Sequence, residues 1–320
     1  MGRAGDPPAP FGDPPSGMVR ASSKPEGGRK ERSLPHVPSG GSPDGTGGSP
    51  VLPARNGDQP QGRQAAASWE GVVGSHWVRL RQVPDGIAAE TAVSMDDWGW
   101  LAGYLQTGVN LETVLATFPD DEPMRAATAA CRGLRLLRQE PWECLASFIL
   151  SSTKQIVQIQ QIIARLCARF GEPVAVPPGH PPAPAFPAAA RLAACTEGEL
   201  RDCKMGFRAP NLLQAAQRGA AGQLDLDGLR NHSVEQARDE LLQLRGVGEK
   251  IANCVLLFAY GFQSAFPVDV WVMKALRRLY FPKRRLSPKR LREFTATHFG
   301  PNAGYAQQYL FHYARLMAMK

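Results

Sequence analysis

Residues 1–66 show no hydrophobic period. Runs such as Pro38-Ser39-Gly40-Gly41-Ser42-Pro43 offer too little apolar surface to offset ordering entropy, which predicts a disordered segment. From Trp69 the texture changes. Trp69–Val73, Trp77–Val83 and Ile87–Val93 are short β-rich runs separated by Gly74-Ser75 and Pro84-Asp85-Gly86 turns. They predict a small antiparallel meander, too little sheet to stand without support from the helical region beyond it. From Met95 onward the pattern is helical. Pro141–Leu150 reads as an apolar helix, and Gln155–Phe170 and Arg208–Ala221 as amphipathic ones. Pro173–Pro187 between them reads as a rigid surface connector. Ser233–Leu244 opens with a Ser cap and Gln236 three residues on, a capping box. Asp269–Tyr280 and Ser287–Phe299 flank the basic turn Pro282-Lys283-Arg284-Arg285, and Ala303–Met319 is the last helix. The expected class is mostly α. Its zones are a disordered 1–66, a partial antiparallel β domain at 67–95, and a helical domain at 96–320.

Composition changes this picture in two places. The chain has 320 residues, 43% of them hydrophobic, and a formal net charge of +8. No stretch nears the roughly 18 apolar residues of a membrane helix, so no membrane association is expected. Residues 271–320 hold 11 Lys/Arg and Glu293 as their one acid, while 26 basic and 28 acidic residues fall in 1–270. That block suits either a polyanionic partner or a solvated face. Residues 1–66 hold 25 of the 60 Gly and Pro residues. The six cysteines form no CxxC pair, and the N-terminus is polar and Pro-rich. Reduced thiols are therefore expected, with no zinc or iron–sulfur site. The mixed charges of the tract argue against a mitochondrial transit peptide.

The informative stretch is Leu241-Leu242-Gln243-Leu244-Arg245-Gly246-Val247-Gly248-Glu249-Lys250-Ile251-Ala252-Asn253-Cys254. A helix ends at Leu244, a hairpin turns on two glycines, and a new helix begins near Glu249. Gly246 and Gly248 allow positive φ and leave the backbone bare, so the N–H groups of the second helix can meet a phosphate oxygen. The pattern is either a helix–hairpin–helix clamp on a nucleic acid backbone or an ordinary αα-hairpin. Nineteen residues after Lys250 comes Asp269, in Phe266-Pro267-Val268-Asp269-Val270-Trp271. An N-cap role would account fully for that aspartate. An amine and a carboxylate brought together here would also suit N-glycosidic cleavage. The amine attacks C1′ of a deoxyribose, and the carboxylate stabilises the cationic sugar and handles protons.

Gly246-Val247-Gly248-Glu249-Lys250 with Pro267-Val268-Asp269 closely resembles the helix–hairpin–helix/Gly-Pro-Asp DNA glycosylases. The surrounding sequence resembles their eukaryotic-type 8-oxoguanine DNA glycosylase/AP lyase branch. Gly133-Leu134-Arg135-Leu136-Leu137-Arg138-Gln139-Glu140-Pro141-Trp142, Ser147-Phe148-Ile149-Leu150-Ser151-Ser152, Gly206-Phe207-Arg208-Ala209 and Tyr305-Ala306-Gln307-Gln308-Tyr309-Leu310-Phe311 carry that likeness. It covers about residues 69–320. The resemblance implies a helix–hairpin–helix glycosylase fold and base-excision repair of duplex DNA containing an oxidised purine. By the same likeness Lys250 is the Schiff-base nucleophile and Asp269 the essential carboxylate. Cys254 and Phe311 sandwich the flipped base, whose Watson–Crick edge Gln307 reads. Phe207 is the wedge, and Arg208 reads the opposite base. The carbonyls of Leu242, Leu244 and Val247 match positions that hold a monovalent cation, no side chain is expected to bind a metal, and no cofactor is required. Without the resemblance, Cys254 and Phe311 would read as core and Gln307 as a surface amide.

Three departures stand out. The opposite-base segment reads Ser152-Thr153-Lys154-Gln155-Ile156-Val157-Gln158 in place of asparagines followed by an arginine. Thr153 and Gln158 can donate hydrogen bonds there but cannot fork onto cytosine, so strict preference for an opposite cytosine loses its support. Val270-Trp271 replaces a phosphate-binding histidine with a side chain offering one N–H and no charge. The Gln-x-Phe-Arg-Trp-like stretch of the N-terminal β domain has no counterpart, so that domain is expected to be truncated. Discrimination of 8-oxoguanine from guanine is the property most exposed by that loss.

Other glycosylases fit less well. Adenine- and thymine-glycol-type enzymes usually carry four C-terminal cysteines for an iron–sulfur cluster, and nothing after Cys254 supplies them. Alkylation-repair enzymes lack the nucleophilic lysine. The alternatives are a glycosylase of altered base specificity and a non-catalytic helix–hairpin–helix DNA-binding module. A monomer is expected, cytoplasmic and nucleoid-associated in a prokaryote, nuclear in a eukaryote.

Overall fold

A computed structural model describes residues 32–33, 68–83, 86–152, 156–282 and 287–318, with backbone alone at 32, 33, 288 and 318. The expected disorder of 1–66 thus lies outside the described residues, apart from one short strand. That strand, β1 (Arg32–Ser33), pairs antiparallel with β4 (Gly86–Thr91). β4 pairs with β3 (His76–Val83), and β3 with β2 (Ser68–Val73). The sheet order is β1-β4-β3-β2. The three-stranded meander is present, and the tract expected to be structureless adds an edge strand to it.

Leu80 and Ala89 on one face of the sheet pack with Trp98 and Leu101. The last two belong to the start of the helical region, so the small sheet leans on it as its size requires. Helices α1 (Gly99–Leu105), α2 (Leu111–Leu115) and α3 (Glu122–Ala130) lead into α4 (Pro141–Ser151). Glu140 caps α4, accepting from the N–H groups of Trp142 at 2.9 Å and Glu143 at 2.6 Å. A helix apolar on all sides must be buried, and every α4 residue except Glu143 is. α5 (Ile156–Phe170) is the amphipathic neighbour, burying Ile159, Ile162, Ile163, Leu166, Cys167 and Phe170 at helical spacing.

The Pro-rich connector is more ordered than its composition suggests. β5 (Pro173–Val174) pairs with β6 (Ala183–Pro184) in a minimal hairpin. Beyond it lie α6 (Ala189–Ala193), α7 (Glu197–Leu200) and α8 (Ala209–Ala220). α9 (Val234–Leu242) starts at the Ser233/Gln236 capping box, with both reciprocal bonds formed. α10 (Glu249–Val255) runs on into a π-helical turn at Leu256–Tyr260 that apolar periodicity does not reveal. α11 (Val270–Leu279), α12 (Pro288–His298) and α13 (Ala303–Ala318) complete the chain. The basic segment 283–286 lies outside the described residues. One core spans the helical region, and α4, α10 and α13 contribute many of its fully buried side chains.

All six cysteines are unpaired and buried. Among the described residues no helix is long and apolar enough to cross a membrane.

Candidate active site

The hairpin between α9 and α10 turns at Gly246, whose φ is +82°. A Cβ there would also lie 2.2 Å from Asn211 Nδ2 of α8. Gly248 departs from expectation: its φ is −106°, ordinary extended backbone at the N-cap of α10. Its usefulness is bareness rather than handedness. No side chain caps α10, and nothing lies within 4 Å of where a Gly248 Cβ would stand. Gly248 and Glu249 are exposed, so the uncapped start of the helix is open to an anion. Gly246→Ala combines left-handed strain with the Asn211 clash. We expect a loss of about 1–2 kcal/mol of stability and weaker duplex binding, read by thermal unfolding and fluorescence anisotropy.

Lys250 lies in the first turn of α10, half-buried, its Nζ 5.0 Å from the centre of the Phe148 ring on α4. Four residues on, Cys254 occupies the same face and is 3% exposed. Burial pushes its thiol up to about 11, with the Lys250 charge opposing, so it is neutral near pH 7.

Asp269 caps α11, and its Oδ1 accepts the Val272 N–H at 2.7 Å. That is the capping role readable from the sequence. The side chain also lines a small cavity with Lys250, Cys254, Gln307 and Phe311. Burial raises the Asp269 carboxyl above the ordinary aspartate range. The N–H of Val272, the Lys250 charge, the N–H of Trp271 and Arg315 pull the other way without cancelling it. Arg315 stands one turn past Phe311 on α13, its Cζ 5.5 Å from the Phe311 ring centre.

α13 supplies the opposite wall. Gln307 and Phe311 are 2% and 4% exposed. Gln307 Oε1 accepts a hydrogen bond from Gln308 Nε2 at 2.7 Å, which fixes the amide's orientation. Sequence reasoning gave no role to four further lining residues, Phe148, Phe258, Pro267 and Gln308. Phe148 and Phe258 stack at 5.8 Å between centroids and form the apolar floor. Each sits in an apolar helical run, where nothing separates a cavity wall from the core. The cavity measures about 20 Å³, roughly the space for one water.

The opposite-base residues are distributed differently. Thr153 lies outside the described residues, and Gln158 is exposed in the first turn of α5. Phe207 is 60% exposed, as a wedge requires, on a short 3₁₀ turn before α8. Arg208 is 1% exposed. Its guanidinium donates to the carbonyl of Ser152 and, at 3.3 Å, to that of Met205, and stacks 4.2 Å from the Phe207 ring. It faces inward, bracing Phe207 against the end of α4; the resemblance gave it the reading of the opposite base.

Trp271 is half-buried, its Nε1–H has no hydrogen-bond partner, and the Lys274 ammonium lies 5.3 Å from its ring centre. In the hairpin, the Leu244 carbonyl accepts the Val247 N–H at 3.1 Å. The basic C-terminal block reaches this region, with Arg292 of α12 placed 3.8 Å from Glu249. Both partners are exposed, so the pair adds little stability, but it puts α12 beside the hairpin. Among the described residues no group of three or more His, Cys, Asp or Glu side chains could hold a metal ion.

Comparison with known proteins agrees with this arrangement. Residues 60–145 match the family described as 8-oxoguanine DNA glycosylase, N-terminal domain. Residues 146–300 match the HhH-GPD superfamily base excision DNA repair protein family. The chain is 31% identical over 219 residues to the probable N-glycosylase/DNA lyase of Methanothermobacter thermautotrophicus, covering 62% of this chain and 69% of that protein. It is 32% identical over 279 residues to the N-glycosylase/DNA lyase OGG1 of Arabidopsis thaliana, covering 81% and 74%. Among solved structures, the Clostridium acetobutylicum 8-oxoguanine glycosylase/lyase, in complex with duplex DNA containing cytosine opposite 8-oxoguanine, superposes with a TM-score of 0.74. It is 29% identical, covering 80% of this chain and 88% of that one. The chain belongs to the helix–hairpin–helix/Gly-Pro-Asp family of base-excision DNA repair proteins, in the N-glycosylase/DNA lyase branch that carries the 8-oxoguanine DNA glycosylase N-terminal domain.

Proposed function

We propose that this protein removes 8-oxoguanine from duplex DNA and then cuts the strand as an AP lyase. The observation that carries the reading is the meeting of Lys250 and Asp269 in one cavity with Cys254, Gln307 and Phe311. Neither a core packing role nor a helix cap requires that company.

In this mechanism the Lys250 ammonium gives up a proton, its amine bonds to C1′ as the C1′–N9 bond breaks, and the base leaves carrying a proton from the attacking nitrogen. Asp269, ionised, stabilises the positive charge that develops on the sugar. Opening of the sugar ring gives a Schiff base between Lys250 and C1′. Loss of a C2′ proton then expels the 3′ phosphate by β-elimination. Cys254 and Phe311 hold the extruded base between them, and Gln307, oriented by Gln308, reads its edge. Because the cavity is now water-sized, Phe311 and Cys254 must part before a base enters. Phe207 fills the gap in the stack, and Arg208 braces it; Gln158, exposed in the first turn of α5, faces the opposite strand. Gly246, Gly248 and the open N–H groups of α10 bind the backbone. The carbonyls of Leu242, Leu244 and Val247 are neutral oxygen donors that suit a monovalent cation, which would add positive charge behind those N–H groups. The enzyme works wherever the cell keeps its DNA, the nucleoid of a prokaryote or the nucleus of a eukaryote.

Incubation with a duplex carrying one 8-oxoguanine tests the reading. Free 8-oxoguanine and a strand ending in a 3′ sugar fragment are expected. Tight binding to an intact strand would favour the non-catalytic module.

The pH dependence follows from Asp269. Only its ionised form stabilises the sugar cation, so excision should fall as pH drops through a pKa above the usual aspartate value. Arg315→Gln removes a charge that opposes the elevation, moving this acid limb to still higher pH, and Arg315→Lys should restore it. Single-turnover rates across the acid range check both.

A further inference from the structure

The described residues border a second and larger cavity, about 420 Å³, well away in the fold from Lys250 and Asp269. That volume is within the range of small-molecule sites. It lies between the meander and the proline connector, walled by Val72, Ala168, Pro173, Pro181 and Pro184.

The sheet lining it carries charge where apolar side chains would be expected. Strand register sets Glu70 of β2, Arg79 of β3 and Glu90 of β4 side by side. Arg79 donates to Glu70 Oε1 at 2.5 Å and to Glu90 Oε2 at 3.2 Å. Arg79 thus bridges the two carboxylates and engages only one oxygen of Glu70. Glu70 lines the cavity and is 6% exposed, and its Oε2 is buried with no hydrogen-bond partner among the described residues. The His180 Nε2 stands 3.4 Å from it. That nitrogen already accepts the Trp77 indole N–H at 3.2 Å, while Nδ1 lies 2.7 Å from the Pro181 carbonyl. In the tautomer with its proton on Nδ1, His180 makes both contacts and has nothing to donate to Glu70. A buried carboxylate oxygen facing a second acceptor calls for an outside donor.

We propose that this cavity binds a small organic cation, an ammonium or guanidinium whose N–H reaches Glu70 Oε2 while an apolar stem lies against the prolines. The carboxylate repels phosphates, so the site is not a DNA contact, and it stands independently of the glycosylase reading. A free amine and a lysine or arginine side chain of a partner protein share this chemistry. A donor that reaches Oε2 displaces the His180 ring, whose Nε2 stands 3.4 Å away, and so disturbs its bond from Trp77; the indole N–H therefore reports occupancy.

The full chain is titrated with benzylammonium while the Trp77 indole resonance is followed, assigned through Trp77→Phe. A saturable shift is expected, with benzyl alcohol at least about tenfold weaker. N-acetylarginine methylamide stands for a protein-borne guanidinium: tighter binding of it points to a partner side chain, and tighter binding of benzylammonium to a free amine. Glu70→Gln should weaken the response about tenfold or more. Because that change also disturbs Arg79, a second variant fills the cavity from an exposed position of α5. Ala168→Trp should abolish the shift and leave unfolding temperature and excision rate unchanged. Equal responses to the cation and the alcohol, or an undiminished response in Ala168→Trp, would overturn the proposal.

Discussion

Lys250→Gln is expected to abolish the covalent adduct that borohydride traps on an 8-oxoguanine duplex. It should lower excision at least about a thousandfold, because glutamine has no amine to bond to C1′. The duplex affinity should stay within a few-fold. On the proposed reading the phosphate meets the N–H groups of α10 around Gly248, which the substitution leaves in place, and Lys250 itself is half-buried against Phe148. Adduct formation is read on a denaturing gel and affinity by anisotropy on the same preparation. Persistence of the adduct in the variant would assign the nucleophile elsewhere.

The second large effect belongs to Asp269. Asp269→Asn should reduce excision about 10²–10⁴-fold by removing the charge that faces the sugar cation. Asparagine caps a helix as well as aspartate does, so the bond to the Val272 N–H and the start of α11 should survive. The stability consequence can be signed. Burial raises the folded-state pKa of Asp269 above its unfolded value. The proton is therefore held more tightly in the folded protein, and the stability it confers is present at low pH. It is lost as pH rises through the folded pKa, so at neutral pH the ionised Asp269 costs stability. Asp269→Asn should accordingly match or exceed the parent in melting temperature at pH 7 while losing most activity. A variant that melts lower and excises at the parental rate per bound complex would reduce Asp269 to a helix cap.

Lys250 and Asp269 were legible because their chemistry lies in local motifs: a glycine hairpin, and a proline two residues before a capping aspartate. The helices were legible for a related reason. α5 repeats its apolar residues at helical spacing, and α9 announces itself with Ser233 and Gln236. What stayed hidden was long-range or directional. Nothing local says that Arg208 turns inward to the Ser152 carbonyl, 56 residues away in sequence. The same holds for His180 closing over Glu70. β1 is a two-residue pairing with β4 inside a Gly/Pro-rich tract, too short for any periodicity to betray. Gly248 resembled Gly246 in sequence, and only the backbone trace separates a left-handed turn from an extended cap.

Which base the cavity accepts decides what the enzyme repairs. The most direct test measures single-turnover excision from two duplexes of identical sequence, one with 8-oxoguanine and one with guanine at the same position opposite cytosine. Release of 8-oxoguanine is expected, with no measurable release of guanine over the same time. Release of both bases at equal rates, or of neither from a fully bound duplex, would contradict it.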